Sequence, residues 1–229
     1  FNVAALYDNG WGVERDVEKA LLWYGRAAAR NIAPAELVLA HILRRGEIGA
    51  PDSEQALRHL RSAAHRGSAR AQFELGVAYD RGVGVTQNYA TAEIWYEKAA
   101  AQGLTEAIFN LATLFDEGLS APKDHAAALT WYRQAARAGN PLAENNIGNL
   151  YEKGLGVPQD YVRAVKWYAK AAARGLAALK KGGRLLGGLG AAKSRAQVRT
   201  SPQKMAEAKL QAEREAAEEK ERKAREEVG

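Results

Sequence analysis

Apolar side chains return at helical spacing through most of the chain. In residues 68–103, Ala71, Leu75, Gly76 and Tyr79 fall on one side of a first helix. Tyr89, Ala92, Trp95, Tyr96, Ala99 and Ala100 fall on one side of a second. Gly82-Val83-Gly84-Val85 separates them and breaks the pattern. Gly82 is placed just past the first helix, where a left-handed backbone penalises any residue with a Cβ. Asn88 stands where an N-cap of the second helix belongs, and Gly103 closes that helix. The segment therefore predicts two antiparallel helices joined by a glycine turn.

The same pattern recurs every 36 residues without insertion or deletion from residue 1 to 175. Trp-Tyr pairs stand at 23–24, 95–96, 131–132 and 167–168, with His59-Leu60 in the missing place. Gly recurs at 10, 46, 82, 118 and 154, Ala at 20, 56, 92, 128 and 164, and Asp or Asn at 16, 52, 88, 124 and 160. A fixed period of this length signals a stack of like units. The units are a truncated 1–31, then 32–67, 68–103, 104–139 and 140–175. Small Ala and Gly columns let helices approach closely, and Trp and Tyr fill the remaining volume. One unit cannot bury its own faces, so stacking must do it. The expectation is an all-α protein with about ten repeat helices before Gly175 and no sheet.

The pattern Ala-x3-Leu-Gly-x2-Tyr-x2-Gly-x-Gly-Val, followed by Asp/Asn-x3-Ala-x2-Trp-Tyr-x-Lys-Ala-Ala-x2-Gly, resembles the Sel-one-like repeat (SLR), a relative of the tetratricopeptide repeat. Residues 71–103 and 143–175 carry it best, and it covers about 175 of 229 residues. The resemblance implies a right-handed α-solenoid of antiparallel helix pairs, and a bacterial scaffold that holds other proteins together. Unit 32–67 departs most. His59-Leu60 replaces Trp-Tyr, Leu43 replaces Tyr, and Glu47-Ile48-Gly49 replaces the Gly-Val stretch. It is expected to pack more loosely.

In related solenoids the first helices line the concave face. Three columns of the first helices vary while the Leu, Gly and Tyr columns hardly do. They are Phe1, Leu37, Phe73, Phe109, Asn145; Ala5, His41, Val77, Thr113, Asn149; and Asp8, Arg44, Asp80, Asp116, Glu152. The candidate partner-binding residues are Phe73, Val77, Asp80, Phe109, Thr113, Asp116, Asn145, Asn149 and Glu152. They describe a groove with an apolar stripe, an amide end and an acidic rim, suited to an extended or helical peptide with apolar anchors and basic flanks. The opposing reading is that Phe73 and Phe109 fill gaps between adjacent first helices and that Asn145 and Asn149 are solvated.

Composition narrows the chemistry. With 47% hydrophobic and 26% charged residues the chain reads as globular. It has no Cys, which excludes disulfide scaffolds, Cys-ligated metals and thiol nucleophiles, though it does not fix the compartment. No run of about 18 apolar residues could span a membrane. His41, His59, His65 and His125 form no metal-ligand spacing, and His59, in the Trp column, is expected to pack. Gly82-Val83-Gly84 and Gly154-Leu155-Gly156 lack the strand and the Gly-Lys-Ser/Thr of a phosphate loop. No catalytic residue, metal or cofactor is therefore expected. Some Cys-rich SLR relatives are linked to β-lactam chemistry, but they rely on a disulfide in each repeat.

The charge is uneven. Residues 1–175 hold 20 basic and 19 acidic side chains, whereas 176–200 hold six basic residues (Lys180, Lys181, Arg184, Lys193, Arg195, Arg199) and no acid. That Gly-rich basic segment could begin a degenerate capping helix. It could also attract an anionic surface or nucleic acid weakly, though a solvated linker is the plainer reading and nucleic acid is not expected as a partner. Residues 201–229 open on Ser201-Pro202 and read as a charged helix whose first part could cap the stack, the part beyond about Ala217 projecting into solvent. The chain opens on Phe in mid-pattern and reads as a piece of a longer protein, in which a signal peptide or further repeats would lie upstream. The expected function is a non-enzymatic scaffold that binds a protein or peptide.

Overall fold

The computed structural model describes residues 1–47 and 49–180, with side chains described through Gly175. Among the described residues there are ten α-helices and no strand. Residues 1–122 form one compact unit and the chain from Lys123 onward belongs to a second. The first holds α1 (Asn2–Asn9), α2 (Val17–Ala28), α3 (Ala33–Arg45), α4 (Ser53–His65), α5 (Ala69–Arg81), α6 (Tyr89–Ala101) and α7 (Thr105–Glu117). The second holds α8 (His125–Arg137), α9 (Pro141–Lys153) and α10 (Tyr161–Lys180). Within each unit every helix packs on the next in sequence.

The repeated punctuation residues set the helix ends. Gly10, Gly46, Gly82, Gly118 and Gly154 end the five first helices with φ between 65° and 69°, as the glycine column predicts. Asp16, Asp52, Asn88, Asp124 and Asp160 each accept from a main-chain N–H three residues on, at 2.7–2.9 Å, and so start the second helices. A main-chain strut then closes the turn. The N–H of the cap residue donates to the carbonyl of the first-helix Tyr column, as from Asn88 to Tyr79 and from Asp160 to Tyr151. Unit 32–67 keeps this strut, from Asp52 to Leu43 at 3.0 Å, because the bond uses backbone and is indifferent to the loss of the Tyr ring.

Between repeats, Gly67, Gly103 and Gly139 turn the chain with φ between 82° and 92°, and Asn31 does so in their column with φ 64°. α10 instead runs on through Gly175 to Lys180. The expectations for the rest of 176–200 and for 201–229 lie outside the described residues.

The two aromatic columns expected to fill the core do so unequally. The Tyr of each Trp-Tyr pair, not the Trp, is the central residue. Tyr96 and Tyr132 are wholly enclosed and Tyr24 and Tyr168 nearly so, whereas Trp23, Trp131 and Trp167 are half-buried and only Trp95 is enclosed. The Trp rings lie where a basic side chain of the same helix can cover them. Arg26, Lys98 and Lys170 sit 4.3–4.8 Å from the ring centres of Trp23, Trp95 and Trp167.

The Gly column of the first helix is shaped by the Tyr ring. A Cβ on Gly76 would lie 2.7 Å from the Tyr96 ring, and one on Gly148 2.6 Å from the Tyr168 ring. Gly here buys close approach of helix to ring, which an added methyl would force apart.

Candidate functional site

The candidate residues of the first unit lie on α5 and α7. Phe73, Val77 and Asp80 are half-buried on α5, and Phe109, Thr113 and Asp116 are half-buried on α7. Phe73 packs its ring against that of Tyr96, with centres 5.9 Å apart, and carries the Arg70 guanidinium at 5.4 Å. It is therefore both part of the packing and part of the surface. The Thr113 hydroxyl donates to the Phe109 carbonyl one turn back, at 3.1 Å.

The acidic column is tied into the frame. The Tyr96 hydroxyl donates to Asp80 Oδ2 at 2.9 Å and accepts from Asn110 Nδ2 at 3.0 Å. Tyr24 makes the same bond to Asp8 Oδ2 at 3.3 Å. In the second unit Tyr168 makes it to Glu152 Oε2 at 2.6 Å. Burial, reinforced by the neighbouring carboxylate, pushes each of these phenols above the ordinary tyrosine value, Tyr24 to about 12. An acidic rim that holds a phenol in place is less available to a basic partner than the sequence alone suggests. The varying column carries its own explanation at unit 32–67, where Leu60 replaces the Tyr and Arg44 replaces the acid. The bond's two partners are lost together.

In the second unit Asn145, Asn149 and Glu152 lie on α9. Asn145 is enclosed, at 9% exposure, so the solvated reading does not fit it; Asn149 and Glu152 are half-buried.

Sequence reasoning missed two polar systems. The first crosses three helices of the first unit on the side of the candidate columns. His41 Nε2 meets Glu74 Oε2 at 2.8 Å, Arg70 Nε meets Glu74 Oε1 at 3.0 Å, and Arg70 also reaches Glu106 at 3.3 Å. Burial opposes ionisation of Glu74, but the bonds from His41 and Arg70 outweigh it and hold its carboxyl below the ordinary value. The signal was weak: Arg70 and Glu106 share a column with opposite charges, and His41 and Glu74 stand in two others, so no column repeats one chemistry.

The second is a buried polar column: Glu36, Gln72 and Glu144, each one repeat or two from the next. Glu36 and Glu144 clasp the second helix of their own repeat, whereas Gln72 bridges the second helix of the preceding repeat and the end of its own. Glu36 takes His59 Nδ1 at 2.5 Å and Ser62 Oγ at 2.9 Å, so His59 is positioned by a carboxylate as well as packed. Gln72 donates to the Ala64 carbonyl and accepts from Gln102. Glu144 is fully enclosed, with Arg174 Nε at 2.8 Å and Lys170 Nζ at 3.3 Å from Oε1, held by charge with neither N–H aligned into a hydrogen bond. The 36-residue spacing of these polar residues inside an apolar stripe was the legible sign.

Among the described residues no three His, Asp or Glu side chains gather to hold a metal ion. No described helix is long and apolar enough to cross a membrane.

Comparison with known proteins agrees with the repeat reading. Residues 1–32, 33–68, 69–104, 105–140 and 141–176 each match the Sel1 repeat, one residue later in phase than the units read from the sequence. The structure is similar to a Sel1 repeat protein from Oxalobacter formigenes, with TM-score 0.73 and 32% identity, covering 78% of this chain and 74% of that one. It is also similar to a protective antigen of uropathogenic Escherichia coli displaying an SLR fold, with TM-score 0.72 and 32% identity, covering 76% of this chain and 37% of that one. In sequence, 92 residues, 39% of this chain, are 32% identical to chitin synthase regulatory factor 3 of Schizosaccharomyces pombe, and the match spans 10% of that protein's length. Sel1 repeat proteins are generally protein-interaction scaffolds and typically not enzymes. With five repeats matched across three quarters of its length, the chain belongs to the Sel1 repeat family.

Proposed function

We propose that the chain is a non-enzymatic scaffold that binds a protein or peptide on the exposed side of its first helices, with Phe73 and Phe109 as apolar anchors. The observation that carries this reading is the position of the two rings. They stand one repeat apart on α5 and α7, half-buried, where the neighbouring Leu75 and Leu111 are fully enclosed. A ring partly in water at the same place in successive repeats offers a partner regularly spaced contacts. Val77 and Thr113, one turn further along each helix, extend the strip. Asp80 and Asp116 flank it and act on association rate and salt dependence more than on affinity. Asn145, Asn149 and Glu152 form the corresponding set on α9.

The test is affinity capture with the full chain, followed by mass spectrometry, in parallel with Phe73→Ser and Phe109→Ser. Proteins retained by the wild type and lost from both folded variants are the expected result. An unchanged set of captured proteins would remove the first-helix side as the interaction surface.

A further inference from the structure

The degenerate repeat contains a cavity. It has a volume of about 340 Å³ and is walled by α3, α4 and α5. That is within the range of small-ligand sites, roughly 300–1,000 Å³.

Its position has a specific meaning in the repeat. In unit 68–103 the Tyr96 phenol is surrounded by Gly76 beneath the ring and by Asp80 and Asn110 at the hydroxyl. One repeat earlier, the residues in the places of Tyr96, Gly76, Asp80 and Asn110 are Leu60, Ala40, Arg44 and Glu74. All four line the cavity. The void thus lies where a tyrosine ring stands elsewhere: Leu60 brings no ring into it, and the Ala40 methyl takes only the room that Gly76 leaves beneath the ring. At the end where the hydroxyl stands elsewhere, the acid has been replaced by a base. Arg44 is exposed at the mouth, and Arg81 joins it there. Glu74, the one acid in the lining, is already engaged by His41 and Arg70. Among the described residues neither Arg44 nor Arg81 is drawn into an ion pair. The floor of Ala56, Leu57 and Ala78 is apolar.

We propose that this cavity binds an aromatic ring bearing a carboxylate, the ring seated on Leu57, Leu60 and Ala78 and the carboxylate held at the mouth by Arg44 and Arg81. The ligand restores what the repeat lost, with the charges reversed: an aromatic filler whose polar end now meets guanidinium in place of carboxylate. Arginine suits this end, because its planar fork matches a carboxylate in two parallel bonds. The proposal is independent of the partner surface described above, with which the cavity shares only Val77.

The experiment is calorimetric titration of the full chain with 3-phenylpropionate. The neutral isostere 3-phenylpropanamide and the ring-free acid acetate serve as controls. The proposal expects saturable one-site binding of the acid, with each control at least about tenfold weaker. Arg44→Glu should weaken the acid by about tenfold or more, since it replaces the charge-assisted bond with repulsion. Leu60→Tyr paired with Ala40→Gly, which clears the room a ring needs, should abolish binding by filling the slot from within. Arg44 is exposed, so its variant keeps the fold and its result stands whether or not the paired variant folds; circular dichroism checks both. An N-acetylated tripeptide ending in Phe distinguishes the source of the group. Tighter binding than the free acid, still lost in Arg44→Glu, assigns the ring and carboxylate to a chain end, and weaker binding assigns them to a small molecule. Absence of saturation by either probe up to about 10 mM, or binding indifferent to both variants, overturns the proposal.

Discussion

The bond between Tyr96 and Asp80 is the most exacting single test of how the repeats cohere. Tyr96→Phe keeps the ring over Gly76 and against Phe73 and removes only the hydroxyl, which donates to Asp80 at 2.9 Å and accepts from Asn110 at 3.0 Å. A hydrogen bond to a charged group contributes about 1.5–3 kcal/mol, and since the pair is part-buried the expected loss is about 1–2 kcal/mol. For a chain of this size that is a fall in melting temperature of roughly 2–8 °C. Tyr96→Leu, which copies the natural Leu60, should cost more, about 2–4 kcal/mol, because the ring is fully buried. The assay is urea unfolding followed by circular dichroism at neutral pH, repeated at alkaline pH. Burial, with help from Asp80, raises the Tyr96 phenol in the folded protein above its ordinary value of 10.0. A raised folded value means the contribution is complete below about pH 10 and is lost as pH climbs further. The gap between wild type and Tyr96→Phe should therefore close above about pH 10. A neutral-pH difference under about 0.5 kcal/mol, or a gap that widens with pH, would refute the assignment of this bond as a stabilising clamp.

Four further outcomes follow from the geometry. Gly118→Val should lower stability by a few kcal/mol, because the residue sits at φ 68° and a β-branched side chain resists that backbone; a melting temperature equal to wild type would contradict it. Gly148→Ala should cost about 1–3 kcal/mol in the same assay, because its Cβ would fall 2.6 Å from the Tyr168 ring. Tyr132→Ala should destabilise by about 3–5 kcal/mol and half-buried Trp131→Ala by clearly less, so chemical unfolding that ranks them the other way would invert the core assignment. His41→Gln removes one of the groups that hold Glu74 ionised. The Glu74 carboxyl is held below its ordinary value of 4.5, so the stability it carries is present above that value and lost as the pH falls through the lowered one; the variant should differ from wild type at neutral pH and converge with it on strong acidification.

The frame was legible because its causes are local. A left-handed glycine, a capping Asp or Asn and a small residue under a ring each leave a mark at one position, and a 36-residue period repeats the mark. The Trp and Tyr columns were harder to rank. Both are large, aromatic and adjacent, and only packing decides that Tyr96 is enclosed while Trp131 keeps one side in water. The acidic column misled for a related reason. Asp80 and Glu152 read as a charged rim until their phenol partners, 16 residues on, are brought against them by the turn. The network of His41, Glu74, Arg70 and Glu106 depends on contacts across three helices, which no single repeat encodes. The candidate strip itself was read from variability, and the structure adds that Phe73 serves packing as well, so its variants must be judged on folding and binding together.

The proposed function places a partner on the first-helix side of the Sel1 repeats. The most direct measurement is the affinity of a captured partner for the wild type, Phe73→Ser and Phe109→Ser, with thermal melts of the same samples. The account predicts that each variant stays folded and loses about 2 kcal/mol or more of binding, roughly thirtyfold in Kd. Two folded variants that bind as tightly as the wild type would contradict it.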